Sequence, residues 1–138
     1  MKIYDAENQI LGRLCSVIAK NLLNGEDVFV VNADKAALSG KPKTKMESYL
    51  QRFHRGDPIH GPFFPRRSDE IFRRTVRGML PWDRTRGRNA YRKLKVFVGV
   101  PDEFQNKTFE KVKIADVEKL KTKFITLREV SKAVGGKV

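Results

Sequence analysis

The chain has one cysteine, two histidines and one tryptophan in 138 residues. A single thiol, Cys15, excludes an intramolecular disulfide framework and any cysteine-rich zinc module, and it fits a reducing compartment. No apolar run exceeds the four residues Val28 to Val31, far short of the ~18 that a membrane span needs. Asp5 and Glu7 are out of keeping with a secretory or organellar leader. The expected setting is therefore cytoplasmic, with no membrane partner. Apolar residues make up 40% of the chain, enough to bury a core without a metal or disulfide staple. Such a length predicts one domain over residues 1–138.

Acidic residues are scarce where basic ones gather. The whole chain carries 29 Lys and Arg against 16 Asp and Glu, a net charge of +13. Residues 1–40 hold 4 basic and 5 acidic side chains, residues 41–99 hold 16 and 5, and residues 100–138 hold 9 and 6. The middle segment thus carries +11 of the +13. A surface charged only for solubility would intersperse both signs along the whole chain. Of the 16 basic residues in the middle, 11 are arginine. A guanidinium fork matches phosphate oxygens bidentately and stacks on bases, whereas an ammonium is a point charge. The pattern favours nucleic acid over an acidic protein or a membrane surface.

Apolar spacing predicts alternating strands and helices, hence an α/β domain. Ile3 and Tyr4 suit a short first strand. Ile10, Leu11, Leu14, Cys15, Ile18 and Leu22 fall within about 140° of a helical wheel, with Arg13, Ser16 and Lys20 opposite, and Asn24-Gly25 stops that helix. Val28 to Val31 reads as a strand covered on both faces, because its apolar residues do not alternate. Ala36 to Leu38 suits a further strand, and Thr44 to Phe53 a helix with Met46, Tyr49, Leu50 and Phe53 on one side. His54 to Arg67 shows no period, and its prolines and glycines predict a long basic loop over 54–67, mobile until a nucleic acid orders it. Ser68 is placed to cap the next helix, which carries Ile71, Phe72, Thr75, Val76 and Met79 on one arc and Arg73, Arg74 and Arg77 on another. A basic turn over Trp82–Arg88 and a short helix around Asn89–Lys93 lead to a strand at Lys95–Val98. In the extension 105–138, Thr126-Leu127-Arg128-Glu129 is a capping box for a terminal helix, with Val130 and Val134 inward and Gly135 as its stop.

Several chemistries fail on the residues. Ser39-Gly40-Lys41 suggests a phosphate loop, yet Pro42 stands where Ser or Thr must reach magnesium, and Lys35 replaces the first glycine. His54, His60 and Asp57 have the side chains for acid–base cleavage of RNA, but they lie in a loop without a patterned scaffold to fix them. Cys15 and two distant histidines make no metal spacing, so neither a cofactor nor a small-molecule substrate is expected. Phe63, Phe64 and Trp82 sit in turns, where stacking on an unpaired base and packing on the core both remain open.

The string GPFFPRRSDEIFRRTVRGMLPWDRTRGR at Gly61–Arg88, running on through NAYRKLKVFVG to Gly99, resembles the large-subunit ribosomal protein thirteen family. So do LGRLCSVIAK at Leu11–Lys20 and VVNADKAALSG at Val30–Gly40. The archaeal and eukaryotic branch is the closer likeness, since Gly25 runs almost directly into Val28, where bacterial members carry an insert. The resemblance covers residues 1–104 and is unspecific beyond. It implies a three-layer α/β/α domain on a short, mostly parallel four-stranded sheet with an Arg-rich extension. It also implies a non-enzymatic constituent of the large ribosomal subunit that binds large-subunit rRNA beside neighbouring ribosomal proteins and supports assembly. Carried over by motif, RNA contacts fall on Arg73, Arg74, Arg77, Arg84, Arg86, Arg88, Arg92 and Lys93; the charge map adds Lys41, Lys43, Arg55, Arg66 and Arg67. An RNA-processing enzyme using His54 and His60, and a free-standing nucleic-acid-binding regulator, are the competing readings. With Arg73 and Arg77 opposite Ile71 and Val76, their loss is expected to weaken RNA binding and leave the fold nearly intact.

Overall fold

A computed structural model of the chain describes residues 1–136. Strand β1 (Lys2–Asp5) leads through helix α1 (Leu11–Leu23) to β2 (Val28–Val31). Strand β3 (Ala37–Ser39) and helices α2 (Pro42–His54), α3 (Ser68–Arg77) and α4 (Thr85–Arg92) precede β4 (Leu94–Val96). After three short 3-10 turns come β5 (Phe124–Thr126) and α5 (Leu127–Ala133). The α/β class expected from the residues is borne out.

The sheet explains why Val28–Val31 is apolar without alternation. Strand β2 lies between β1 and β4 and is parallel to both, with Tyr4 opposite Val30 and Val30 opposite Val96. Side chains at Tyr4, Val28, Val30, Leu94 and Val96 join the main core with Leu14, Ile18 and Leu22 of α1. On the other face Ile3, Phe29, Val31 and Phe97 pack around Phe104. Two features differ from the expectation. The four-stranded sheet resolves into three parallel strands plus an antiparallel pair, because β3 hydrogen-bonds to β5 instead of joining β1, β2 and β4. The third layer is also no helix: a 3-10 turn at Asp102–Phe104 and the neighbouring Val100 and Phe109 cover that face. Bulky aromatic side chains there fill the volume that a helix would otherwise occupy.

Helix boundaries follow local chemistry where it is strong. Helix α1 buries Leu11, Leu14, Cys15, Ile18 and Leu22, and Gly25 ends it at φ 89°. Burial pushes the Cys15 thiol far above its ordinary pKa, so it acts as a small apolar group. Helix α2 starts before Thr44 because Pro42, which has no N–H to leave orphaned, serves its first turn. Ser68 is the first residue of α3 and not its cap; its hydroxyl makes no capping bond. Met79 is exposed and Leu80 takes the buried place. Helix α4 begins at Thr85, ahead of Asn89, so Arg86 and Arg88 are helical. Gly87, which weakens the local signal, is needed because a Cβ there would run into the Pro81 carbonyl.

The extension beyond residue 104 is stitched to the start of the chain. Glu110 exchanges backbone bonds with the free edge of β1, accepting from Asp5 N at 3.0 Å and donating to Ile3 O at 2.8 Å. Val112 N donates to the buried Gln9 Oε1 at 3.0 Å, and Val117 N to Asn8 O at 3.0 Å. The expected capping box is present: Thr126 and Glu129 exchange reciprocal bonds, Val130 and Val134 are buried, and Gly135 has φ 87°. Residues 137–138, the end of that extension, lie outside the described residues. Leu127→Ala, at a site with no exposed surface, should cost about 2–5 kcal/mol in urea unfolding, and Arg128→Ala should stay within ~0.5 kcal/mol. Equal, small effects would show that the extension is an appendage and not part of the core.

Candidate nucleic-acid interface

Helix α3 divides its surface between core and cation. Ile71, Phe72 and Val76 are buried, and Arg73, Arg74 and Arg77 lie on the remaining arc. Leu80 anchors the turn that follows, so the chain doubles back and brings α4 beside α3. There Trp82 meets Tyr91 edge to face at 5.1 Å. The Arg77 guanidinium lies 4.3 Å from the Trp82 ring centre, and that of Arg73 lies 4.6 Å from the Tyr91 ring centre. Two cations and two aromatic rings thus form one stacked unit. Arg73 and Arg77 are half-buried within it, whereas Arg74 is exposed. This corrects the expectation that all three project freely.

The remaining α4 cations are steered by backbone oxygens. Arg88 Nε donates to Trp82 O at 2.9 Å, Arg86 to Leu23 O at 3.4 Å, and Lys93 Nζ to Gly25 O at 3.3 Å. The last two reach the end of α1, where carbonyls carry the negative pole of the helix dipole. A guanidinium has five N–H donors, so each of these arginines keeps donors to spare. Arg84 and Arg92 are exposed. Among the described residues, Arg67 is the only candidate cation paired with a carboxylate, Asp69 at 3.4 Å. Arg73 Nε is shielded from solvent and has no hydrogen-bond partner.

The other candidates do not join this cluster as one patch. Lys41 and Lys43 begin α2 and Arg55 follows its end, a separation of about 18 Å at 1.5 Å per residue. Arg66 lies over Phe53 at 4.2 Å, and its carbonyl accepts from Ser131 Oγ at 2.6 Å, which ties down the base of the 54–67 loop. The loop is less irregular than expected. Asp57 and Gly61 exchange two backbone bonds, and Asp57 Oδ1 accepts from Ile59 N. That backbone bond, with the His60 contact at 3.2 Å, holds the Asp57 carboxyl below its usual range. His60 remains 81% exposed, unsupported by any rigid element that acid–base chemistry would need. His54 packs on Phe53 edge to face. No group of three or more metal-ligating side chains gathers among the described residues.

The aromatic side chains left open by the residues now separate. Phe64 packs on Tyr49 at 5.9 Å and Trp82 on Tyr91, while Phe63 is 65% exposed and Ile59 80%. Three cations were not among the RNA contacts expected from the sequence: Arg13, Lys45 and Arg52, which share a cleft with Arg74. Their signal was the helical spacing Lys45, Tyr49, Arg52 on α2, which puts two cations around one ring on a single face.

The family model for ribosomal protein L13 matches residues 1–103. A protein named large ribosomal subunit protein uL13 from Archaeoglobus fulgidus is 53% identical over 135 residues, covering 96% of this chain and 86% of that protein. The protein of the same name from Methanopyrus kandleri is 45% identical, again over 96% and 86%. That from Methanococcoides burtonii is 46% identical over 138 residues, covering 99% of each. These similarities extend through the 105–138 segment, which the family model leaves unmatched.

The stacked unit has a measurable consequence. Arg77→Ala and Arg73→Ala should each lower stability by about 0.5–1 kcal/mol, since each removes a cation from a ring face. Arg74→Ala should leave the urea midpoint unchanged. Identical midpoints for all three variants would show that the stacking contributes nothing to the fold.

Proposed function

The chain belongs to the ribosomal protein L13 family, and from that membership we propose that its α3–α4 surface binds large-subunit rRNA. Family members are structural and not enzymatic, which removes the reading based on His54 and His60. The protein is a constituent of the large subunit of a cytoplasmic ribosome. In this reading it acts as one domain, binding large-subunit rRNA beside neighbouring ribosomal proteins.

One observation carries it. Arg73, Arg74 and Arg77 sit on α3, Arg86, Arg88 and Arg92 on α4, and Arg84 and Lys93 flank α4; none has a carboxylate partner among the described residues. Cations without counter-charges repel one another in the free protein, and RNA phosphates relieve that repulsion while releasing condensed counterions. Helical backbones and stacked rings hold the guanidinium groups in place, so less freedom is lost on binding than from a flexible tail. A surface of this kind neutralises phosphates where RNA strands converge, and so supports assembly. Lys41, Lys43, Arg55, Arg66 and Arg67 extend the contact as a second, looser group around α2 and the 54–67 loop.

Binding to transcribed large-subunit rRNA tests the first group. Arg84→Ala with Arg92→Ala should reduce the slope of log affinity against log salt by about 0.7–0.9 per residue, with no change in melting temperature. An unaltered slope would remove those residues from the interface. Limited trypsin digestion tests the loop. Cleavage of the free protein should begin at the exposed Arg55, not at the ion-paired Arg67, and ribosome-bound protein should resist. First cleavage inside α3 or α4 would contradict the rigid surface described above.

A further inference from the structure

A cleft of about 540 Å³ lies beside α3, bounded by the start of α1, by β3 and by α2. Its floor is apolar, formed by Leu11, Ile71, Tyr49 and Phe64. Arg13, Lys45, Arg52 and Arg74 rim it, and no carboxylate among the described residues lines it. Arg52 lies 5.0 Å from the Tyr49 ring centre, and Tyr49 contacts Phe64, so one wall is a guanidinium and two rings in sequence.

We propose that this cleft receives a single unpaired nucleotide of RNA, its base on the apolar floor and its phosphates against the four rim cations. The inference rests on the RNA-binding reading above and adds a second, chemically different contact to it. Four cations around a lining that holds no carboxylate among the described residues favour a polyanion. An apolar floor in a concavity of roughly 300–1,000 Å³ is what a flat organic ligand requires. A duplex presents only its phosphate ridges to such a cleft; a base reaches the floor only when it is splayed out of a helix. Gly12 offers a point at which to test the wall. It lies in the first turn of α1 on the cleft wall, and a Cβ built there meets nothing within 4 Å. Gly12 is exposed, so packing within the protein does not forbid Ala there, and a methyl added at that position alters the cleft wall without disturbing the core.

Amide NMR of the 15N-labelled full chain distinguishes the possibilities, with a single-stranded adenylate trinucleotide, a blunt-ended RNA duplex and inorganic phosphate as probes. The trinucleotide should shift Gly12, Ser39 and Thr75, and inorganic phosphate should bind there at least tenfold more weakly. The duplex should shift Arg84 and Tyr91 and leave the Gly12 and Ser39 resonances in place. Lys45→Ala with Arg52→Ala should weaken trinucleotide binding at least tenfold without changing duplex binding. Gly12→Ala should also weaken it, with a melting temperature no lower than that of the parent protein. Phosphate binding as strong as the trinucleotide, or unchanged binding by Gly12→Ala, would overturn the nucleotide site. A duplex that fails to shift α4 would instead overturn the interface proposed for α3 and α4.

Discussion

Strand β2 is buried on both faces and paired on both edges, and the positions of the other elements follow from that one constraint. A four-residue strand exposes few ladder bonds of its own, so it persists only if apolar groups close over it from both sides. Helix α1 closes one side with Leu14, Ile18 and Leu22. The other is closed by Phe104 and its neighbours from a segment with no helix. Edge β1 would remain open to pairing with another chain, and Glu110 blocks it. The extension is therefore a structural part of the sheet, although the family model stops at residue 103.

Charge is the second constraint, and it works against the first. In a fold of this size the gain from the core only slightly exceeds the loss of chain entropy, so concentrated like charge is a real burden. The protein distributes that burden in two ways. Arg73 and Arg77 lie against the faces of Tyr91 and Trp82, where ring electrons partly offset the charge. Arg86, Arg88 and Lys93 point at carbonyl oxygens. Neither device consumes the charge as a carboxylate would, so these cations remain available to phosphate.

What could be read from the residues was whatever depended on near neighbours. The face of α1 was legible because a 3.6-residue period is local, and so was the capping box of Thr126 and Glu129. The start of α4 was not: Gly87 looks like a helix breaker until the Pro81 carbonyl is seen against it. Strand β3 looked like a member of the main sheet because its partner, Phe124–Thr126, is remote in the chain. For the interface, the cations were evident as a cluster in the middle segment. Their division between a stacked unit on α3–α4 and a separate group around α2 was not, since rows of arginine carry no record of which ring each will face.

Apolar spacing and charge pattern by themselves determined the class of fold and the concentration of cations in residues 41–99. These are properties of summed hydrophobicity and charge, which do not depend on which remote residues touch. Only the tertiary structure decided that Arg73 and Arg77 are half-buried on aromatic rings, that Glu110 seals β1, and that Arg13, Lys45, Arg52 and Arg74 surround one cleft. Each of those facts joins side chains from different elements, and chain closure sets such meetings, not local propensity.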